Sequence, residues 1–379
     1  MIIKNGLVYN TLVKKFYKSD IKISNGKIID IGDLEGDDDV IDAEGKYVIP
    51  GLVDIHSHGA VGVDAMDCDS EALVRMCEFY ASHGVTTLFP TTSTALHETI
   101  KKAILAIDSI DKDKCPVSVR GVHIEGPYLD VKRAGAHPHD LLKAPMIQEA
   151  KEYVELNGDR ILYMTVAPEL EGAIDFINEA TKLGIRVSIG HSETDSDTVK
   201  KALSAGATSF THTFNAMTPI HHREPGVVGI ALLSDAYAEF ICDGHHLHPD
   251  VVALAYKAKT SDRFILITDS MRAAGMPDGV YGISERPTYV VNGVARIKEG
   301  NLAGSTANLH MCMLNLMKFA GAPLEDAVLC ATRNPALAAG IYDIVGSIDK
   351  GKDADIVILD NDLSIDMTVS RGRKVYKKD

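Results

Sequence analysis

Eight short apolar runs, each long enough for one strand, follow one another at 51–55, 85–90, 117–124, 161–167, 186–190, 208–211, 238–242 and 264–268. Helix-like stretches separate most of them. In 70–82, for example, Leu73, Met76, Cys77 and Tyr80 recur at i, i+3, i+4 and i+7, and Gly84 is placed to stop the helix. Strand alternating with helix eight times predicts an α/β fold, a (β/α)8 TIM-like barrel. A doubly wound open sheet is the competing architecture.

The two ends of the chain read differently. Residues 1–49 alternate as short antiparallel strands, with Asn25-Gly26 as a hairpin signal, and the stretches 354–360, 367–369 and 374–376 repeat the pattern. Paired together they predict a small β-sandwich domain built from 1–49 with 340–379, beside a barrel at 50–339. A chain of 379 residues is too long for one small domain and has room for both.

The charge balance narrows the partners. With 39 basic and 53 acidic residues the net charge is −14, which argues against nucleic acid, because phosphate-binding surfaces need excess Lys and Arg. A small anionic substrate needs only a local basic pocket and stays compatible. No apolar run approaches membrane-spanning length, and because Met1 runs straight into strand-like sequence no signal peptide is expected. Cys68, Cys77, Cys115, Cys242, Cys312 and Cys330 show no C-x-x-C spacing. Reduced, mostly buried thiols in a cytoplasmic protein are expected, rather than a disulfide framework or a zinc-thiolate site.

In a parallel barrel the functional groups gather at the C-terminal ends of the strands. The first run ends in His56-Ser57-His58. Residues i and i+2 of a strand share a face, so both imidazoles can reach one point. Alone, the pair reads equally as two surface histidines in a loop. The later strand ends change that balance: Glu125 closes the third, His191 follows the fifth, His212 the sixth, and Asp269 the eighth. His56, His58, His191, His212, Glu125 and Asp269 thus converge on one mouth, with ligand types suited to a borderline divalent metal. The lack of cysteine in the set points to a catalytic site. His123 reads as a core histidine orienting Glu125, and Asp54 as either a support for His56 or a strand terminus. Of His245, His246 and His248 at most one is expected to point inward, and His221 and His222 read as solvated.

Such a metal lowers the pKa of bound water and makes a carbonyl electrophilic. A free carboxylate can take the water proton and return it to a leaving amine; Asp269 is the candidate. No glycine-rich phosphate loop or serine nucleophile elbow is present, so hydrolysis by metal-activated water is favoured over covalent catalysis.

At these residues the chain resembles the N-acetylglucosamine-6-phosphate deacetylase family of the amidohydrolase superfamily. The resemblance covers nearly the whole chain. It rests on Val48-Ile-Pro-Gly-Leu-Val-Asp-Ile-His-Ser-His58, Gly121-Val-His-Ile-Glu-Gly-Pro-Tyr-Leu129, Gly135-Ala-His-Pro138 and Gly190-His-Ser192. Further matches are Thr211-His-Thr-Phe-Asn-Ala-Met217 with Arg223-Glu-Pro-Gly226, Asp243-Gly-His-His246, Thr268-Asp269, Leu302-Ala-Gly-Ser305 and Gly351-Lys-Asp-Ala-Asp-Ile-Val357. The paired histidines specify only the superfamily; the Glu-Gly-Pro and His-x-Phe-Asn-Ala-Met segments are far more specific.

The resemblance implies hydrolysis of the acetamide of N-acetyl-D-glucosamine 6-phosphate to D-glucosamine 6-phosphate and acetate, in amino-sugar catabolism. It implies Glu125, His191 and His212 as ligands of the metal that the family keeps. Because His56 and His58 are present, it implies a second metal bridged through Glu125, hence one or two divalent ions per chain (zinc, iron or manganese). Asp269 would be the general acid/base and touch a metal, and His137 would polarise the acetyl carbonyl. Asn215, the Ala216 backbone, Arg223 and His246 would hold the sugar phosphate, with Ala136, Leu302, Ala303 and Gly304 also against the substrate. A homodimer is implied, in which a neighbouring subunit can contribute to the phosphate pocket. The alternatives are N-acetylgalactosamine-6-phosphate deacetylase or another metal amidohydrolase. Cyclic-amide hydrolases usually carry a bridging lysine on the fourth strand, and 161–167 contains none. A non-enzymatic scaffold on the same barrel requires lost ligands, and none is missing.

Overall fold

The structure, a computed structural model, describes residues 1–36, 39–283 and 286–378. Its centre is a ring of parallel strands: β1 (Leu52–Ser57), β2 (Val85–Thr92), β3 (Gly121–Glu125), β4 (Ile161–Val166), β5 (Arg186–Ile189), β6 (Ser209–Phe210), β7 (Tyr237–Ile241) and β8 (Phe264–Ile267). Each pairs in parallel with the next in chain order. The ring closes where the Asp269 amide donates to the His56 carbonyl at 2.9 Å and Ser57 bridges Ser270. The expected (β/α)8 barrel is therefore the architecture found, and the open sheet is not. The third run is broken: Ser118–Val119 pairs with β2, and β3 starts afresh at Gly121.

These strands are buried on both faces, as parallel sheets covered by helices must be, which is why they read as continuous apolar runs. The helix Ser70–Ser82 shows how the covering layer forms. Asp69 caps it by accepting from the Glu71 and Ala72 amides, and Gly84 leaves it at a φ of +80°. Its periodic residues Leu73, Met76, Cys77 and Tyr80 are all fully buried. Each of the larger ones contributes on the order of 2 kcal/mol by leaving water.

Both ends of the chain join one eight-stranded sheet, in which Tyr47–Pro50 lies between Ile2–Asn10 and Ile356–Leu359. Asn25 and Gly26 form the turn between Lys15–Ser24 and Lys27–Gly32, with φ of 49° and 75° as a tight hairpin requires. Most neighbours are antiparallel as expected. Tyr47–Pro50 and Val40–Asp42 instead run parallel to Ile2–Asn10, the intervening hairpin serving as the long connection a parallel neighbour needs. A bridge from Lys27 to Asp353 curls the sheet around a core that includes Ile3, Ile21, Ile28, Val48, Ile356 and Val369. Because Tyr47–Pro50 ends one residue before β1, this sheet fixes where the first barrel strand enters.

After β8 the chain forms a three-stranded antiparallel sheet, Gly279–Ile283, Arg286–Val291 and Val294–Ile297, which the sequence reading did not anticipate. Its second turn is Asn292-Gly293, both at positive φ, a hairpin signal as plain as the one at Asn25-Gly26. Among the described residues no helix is long and apolar enough to cross a membrane. All six cysteines are free, and five are buried.

Candidate active site

At the C-terminal ends of the strands the backbone turns sharply. His191, His212 and Asp269, each just beyond a strand, are held at φ of 47°, 28° and 47°. For residues with a Cβ this costs on the order of 1 kcal/mol each, and such strain collects where side chains are aimed for function. Here it turns all three side chains toward Glu125 at the end of β3.

Glu125 is the hub. Its Oε1 lies 3.0 Å from His212 Nε2 and 3.3 Å from His191 Nε2, and its Oε2 lies 3.0 Å from His58 Nε2 and 3.4 Å from His137 Nε2. His56 Nε2 is 3.5 Å from both Glu125 and Asp269, and His58 Nε2 is 3.3 Å from Asp269. Two overlapping triads result, His56–His58–Glu125 and Glu125–His191–His212, with donor atoms in each within 4.8 Å of one another. All five residues are buried.

The donors fit divalent cations. His191 Nδ1 must donate to the Arg133 carbonyl at 2.7 Å, so its Nε2 turns a bare lone pair toward His212 and Glu125. His56 Nε2 is buried with no hydrogen-bond partner. The field also calls for positive charge: burial disfavours a charged His58, yet hydrogen bonds with Asp269 and Glu125 push it up to about 10. Burial likewise disfavours charge on Asp269, but His56 and His58 hold its carboxyl below the usual range.

His137 accepts from the Thr94 amide through Nδ1 at 3.4 Å, which leaves the proton on Nε2, facing the hub. Burial depresses its pKa, so the ring is a neutral donor. Gly304 packs under Asp269: a Cβ there would stand 2.9 Å from the Asp269 carbonyl oxygen, and its φ is +64°. Asn301 donates to the Gly135 carbonyl at 3.2 Å, tying the Leu302–Ala303–Gly304 segment to the loop carrying Ala136 and His137. Asn215 donates to the His212 carbonyl at 3.2 Å, and Ala216, half-buried beside it, sits at positive φ.

Of the three histidines after β7, only His246 turns inward; its Nδ1 is 2.7 Å from Asp243, while His245 and His248 are exposed. His123 meets the His56 ring edge to face with centroids 4.4 Å apart and meets Thr165 at 2.8 Å, outside both triads. Asp54 accepts from the Thr268 hydroxyl at 2.6 Å and from the His56 amide, tying β1 to β8; burial pushes its carboxyl up to about 7. His221 and His222 are exposed. Arg223 is not brought to the cluster: it is exposed on the same loop, with Nη1 2.7 Å from His222 Nε2.

The sequence reading missed Glu239, fully buried in the middle of β7, whose Oε2 lies 3.3 Å from His56 Nδ1. The available signal was one acidic residue inside the apolar run Tyr237–Ile241.

A barrel whose strand ends bring buried imidazoles and carboxylates around paired cation sites defines a class of metal-dependent hydrolases. The chain belongs to the amidohydrolase family, whose pattern matches residues 47–375. It is 38% identical to an N-acetylglucosamine-6-phosphate deacetylase of Vibrio furnissii over 87% of this chain and 83% of that one. It is 35% identical to an N-acetylgalactosamine-6-phosphate deacetylase of Escherichia coli O157:H7 over 88% and 89%. The fold superposes with a TM-score of 0.90 on a mutant N-acetyl-D-glucosamine-6-phosphate deacetylase from Mycobacterium smegmatis in complex with N-acetyl-D-glucosamine-6-phosphate, 30% identical, covering 100% and 99% of the two chains.

Proposed function

We propose that the protein hydrolyses the acetamide of N-acetyl-D-glucosamine 6-phosphate to D-glucosamine 6-phosphate and acetate. The observation that carries this reading is the division of one buried carboxylate: Glu125 turns Oε1 to His191 and His212, and Oε2 to His58 and His137. In this reading His137 is the acetyl-polarising donor, beside two cation sites, and Asp269 borders the His56–His58 site. His191, His212 and Glu125 would hold one divalent ion, and His56 and His58 the other through Glu125, with Asp269 touching it. Zinc, iron or manganese suits these ligands. Such ions lower the pKa of water and draw electron density from the amide carbonyl.

Asp269 takes the proton of the attacking water and returns it to the leaving amine. His137 donates from Nε2 to the acetyl oxygen as negative charge builds there. Ala136 and the Leu302–Ala303–Gly304 segment close around the acetyl side. Asn215, the Ala216 amide and His246 hold the sugar phosphate. Arg223, exposed on its loop, suits the phosphate pocket of a neighbouring subunit in a homodimer. In this reading the barrel at 50–339 is the catalytic unit, 1–49 with 340–379 is its support, and the enzyme works in the cytoplasm in amino-sugar catabolism.

The test is acetate release from N-acetylglucosamine 6-phosphate, N-acetylgalactosamine 6-phosphate and the unphosphorylated sugars. The gluco epimer should be turned over fastest. Preference for the galacto epimer, the substrate in the name of the Escherichia coli relative, would replace this reading, as would indifference to the phosphate.

A further inference from the structure

We infer that Glu239 is a positioning residue that decides whether the His56–His58 site holds its ion. The inference rests on the proposed two-ion site and adds a residue to it. Glu239 lies on β7 between Ala238 and Phe240, with no exposed surface. Its Oε2 accepts hydrogen bonds from His56 Nδ1 and from the His212 backbone amide, each at 3.3 Å. Its Oε1 takes the Tyr163 hydroxyl at 2.7 Å, and Tyr163 in turn lies 2.5 Å from Ser209.

Each bond has a consequence at the mouth. An imidazole carries one proton when neutral, so a carboxylate at Nδ1 leaves Nε2 as the bare nitrogen. In His56 that nitrogen is the one facing Glu125 and Asp269. The ring is also fixed from below, since the acceptor is itself anchored by Tyr163 on β4. The amide of His212, a residue of the other triad, ends on the same oxygen. One buried carboxylate therefore sets the proton position of a residue in one triad and the backbone of a residue in the other. Its negative charge stands one imidazole away from the His56–His58 site, and a ligand backed by a carboxylate is a better donor to a cation.

Gln at this position isolates the charge. Its oxygen can replace Oε2 and serve both the His56 ring and the His212 amide. Its amide nitrogen can donate to Tyr163, whose hydroxyl then turns toward Ser209. Glu239→Gln thus keeps every hydrogen bond and loses the charge, whereas Glu239→Leu loses both.

The experiment is a zinc titration of the metal-free full-length chain against a competing chelator, with elemental analysis and thermal melting of the zinc-free protein. Wild type should bind two ions. Glu239→Gln should weaken one of them by about 10–100-fold, the scale for losing a partner behind a metal-ligating histidine. Glu239→Leu, which also frees the His212 amide, should lose the His56–His58 ion and hold the other less tightly than wild type. Glu239→Gln should melt within a few degrees of the zinc-free wild type, and Glu239→Leu lower, because it leaves the Tyr163 hydroxyl and the His212 amide unpaired. Two ions bound with wild-type affinities by Glu239→Gln would overturn the inference while leaving the two-ion site intact. A wild type that binds a single ion would overturn the two-ion site, and this assignment with it. Equal weakening of both ions would mean Glu239 supports the whole mouth and not the His56–His58 site.

Discussion

His191 and His212 face each other nitrogen to nitrogen, their Nε2 atoms 3.0 Å apart, with Glu125 Oε1 within 3.3 Å of both. With the His191 proton committed to the Arg133 carbonyl, its Nε2 lone pair, Glu125 Oε1 and His212 Nε2 share one small volume. A single cation would satisfy all three at once, and the neighbouring triad offers a like arrangement around His56 and His58.

Metal content should follow that division. Replacing His56 with Asn and His58 with Gln together should remove one divalent ion and leave the ion at Glu125, His191 and His212. Elemental analysis of the purified variant checks this, and an unchanged stoichiometry would reject the two-ion assignment.

Asp269→Asn should fold and keep its metal while losing turnover. The amide fills the same volume but cannot accept the water proton, a change that commonly costs about 10²–10⁴-fold in kcat. A kcat near the parent value would take the proton-transfer role away from Asp269.

Arg223→Ala should lower kcat/KM for the phosphorylated sugar by roughly 2–4 kcal/mol, the scale for removing one partner of a desolvated charge pair. The slow hydrolysis of unphosphorylated N-acetylglucosamine should hardly change. An equal loss on both substrates would make Arg223 a support for its loop.

A fourth expectation concerns stability. Burial pushes the Asp355 carboxyl up to about 6 from an ordinary 3.8, against the Arg371 amide that hydrogen-bonds it at 2.7 Å. The folded state thus keeps a proton that the unfolded chain releases, so this group favours folding below its unfolded pKa. That contribution is lost as the pH rises toward 6. Asp355→Asn should therefore gain on the wild type between about pH 4 and 6, by up to about 3 kcal/mol, and hold a constant advantage above. Denaturant midpoints of the two proteins across that range decide it; a constant difference would show that Asp355 does not titrate in this way.

The barrel and the six residues gathered at its mouth were legible because two independent patterns coincide there. Strands buried on both faces read as apolar runs, and each of the six stands at the end of a run or just past it, where turning backbone faces the mouth. Glu239 escaped because its place depends on what stands opposite. A carboxylate inside an apolar run gains a meaning only when the His56 ring, six strands earlier in the chain and adjacent in space, is brought against it. Arg223 was legible as a cation near the mouth, but its exposure depends on how the loop folds back on His222. The parallel placement of Tyr47–Pro50 escaped for a related reason, since alternation fixes a strand's faces and not the direction of its neighbour.

That placement bears on how the molecule is made. Tyr47–Pro50 has Ile2–Asn10 on one side and Ile356–Leu359 on the other, and it leads within two residues into the strand that bears His56. A nascent chain stopped short of Ile356 holds every residue of the cluster named above, yet one edge of the strand feeding the mouth has no neighbour. The ribosome thus finishes the cluster's residues well before it supplies their last brace.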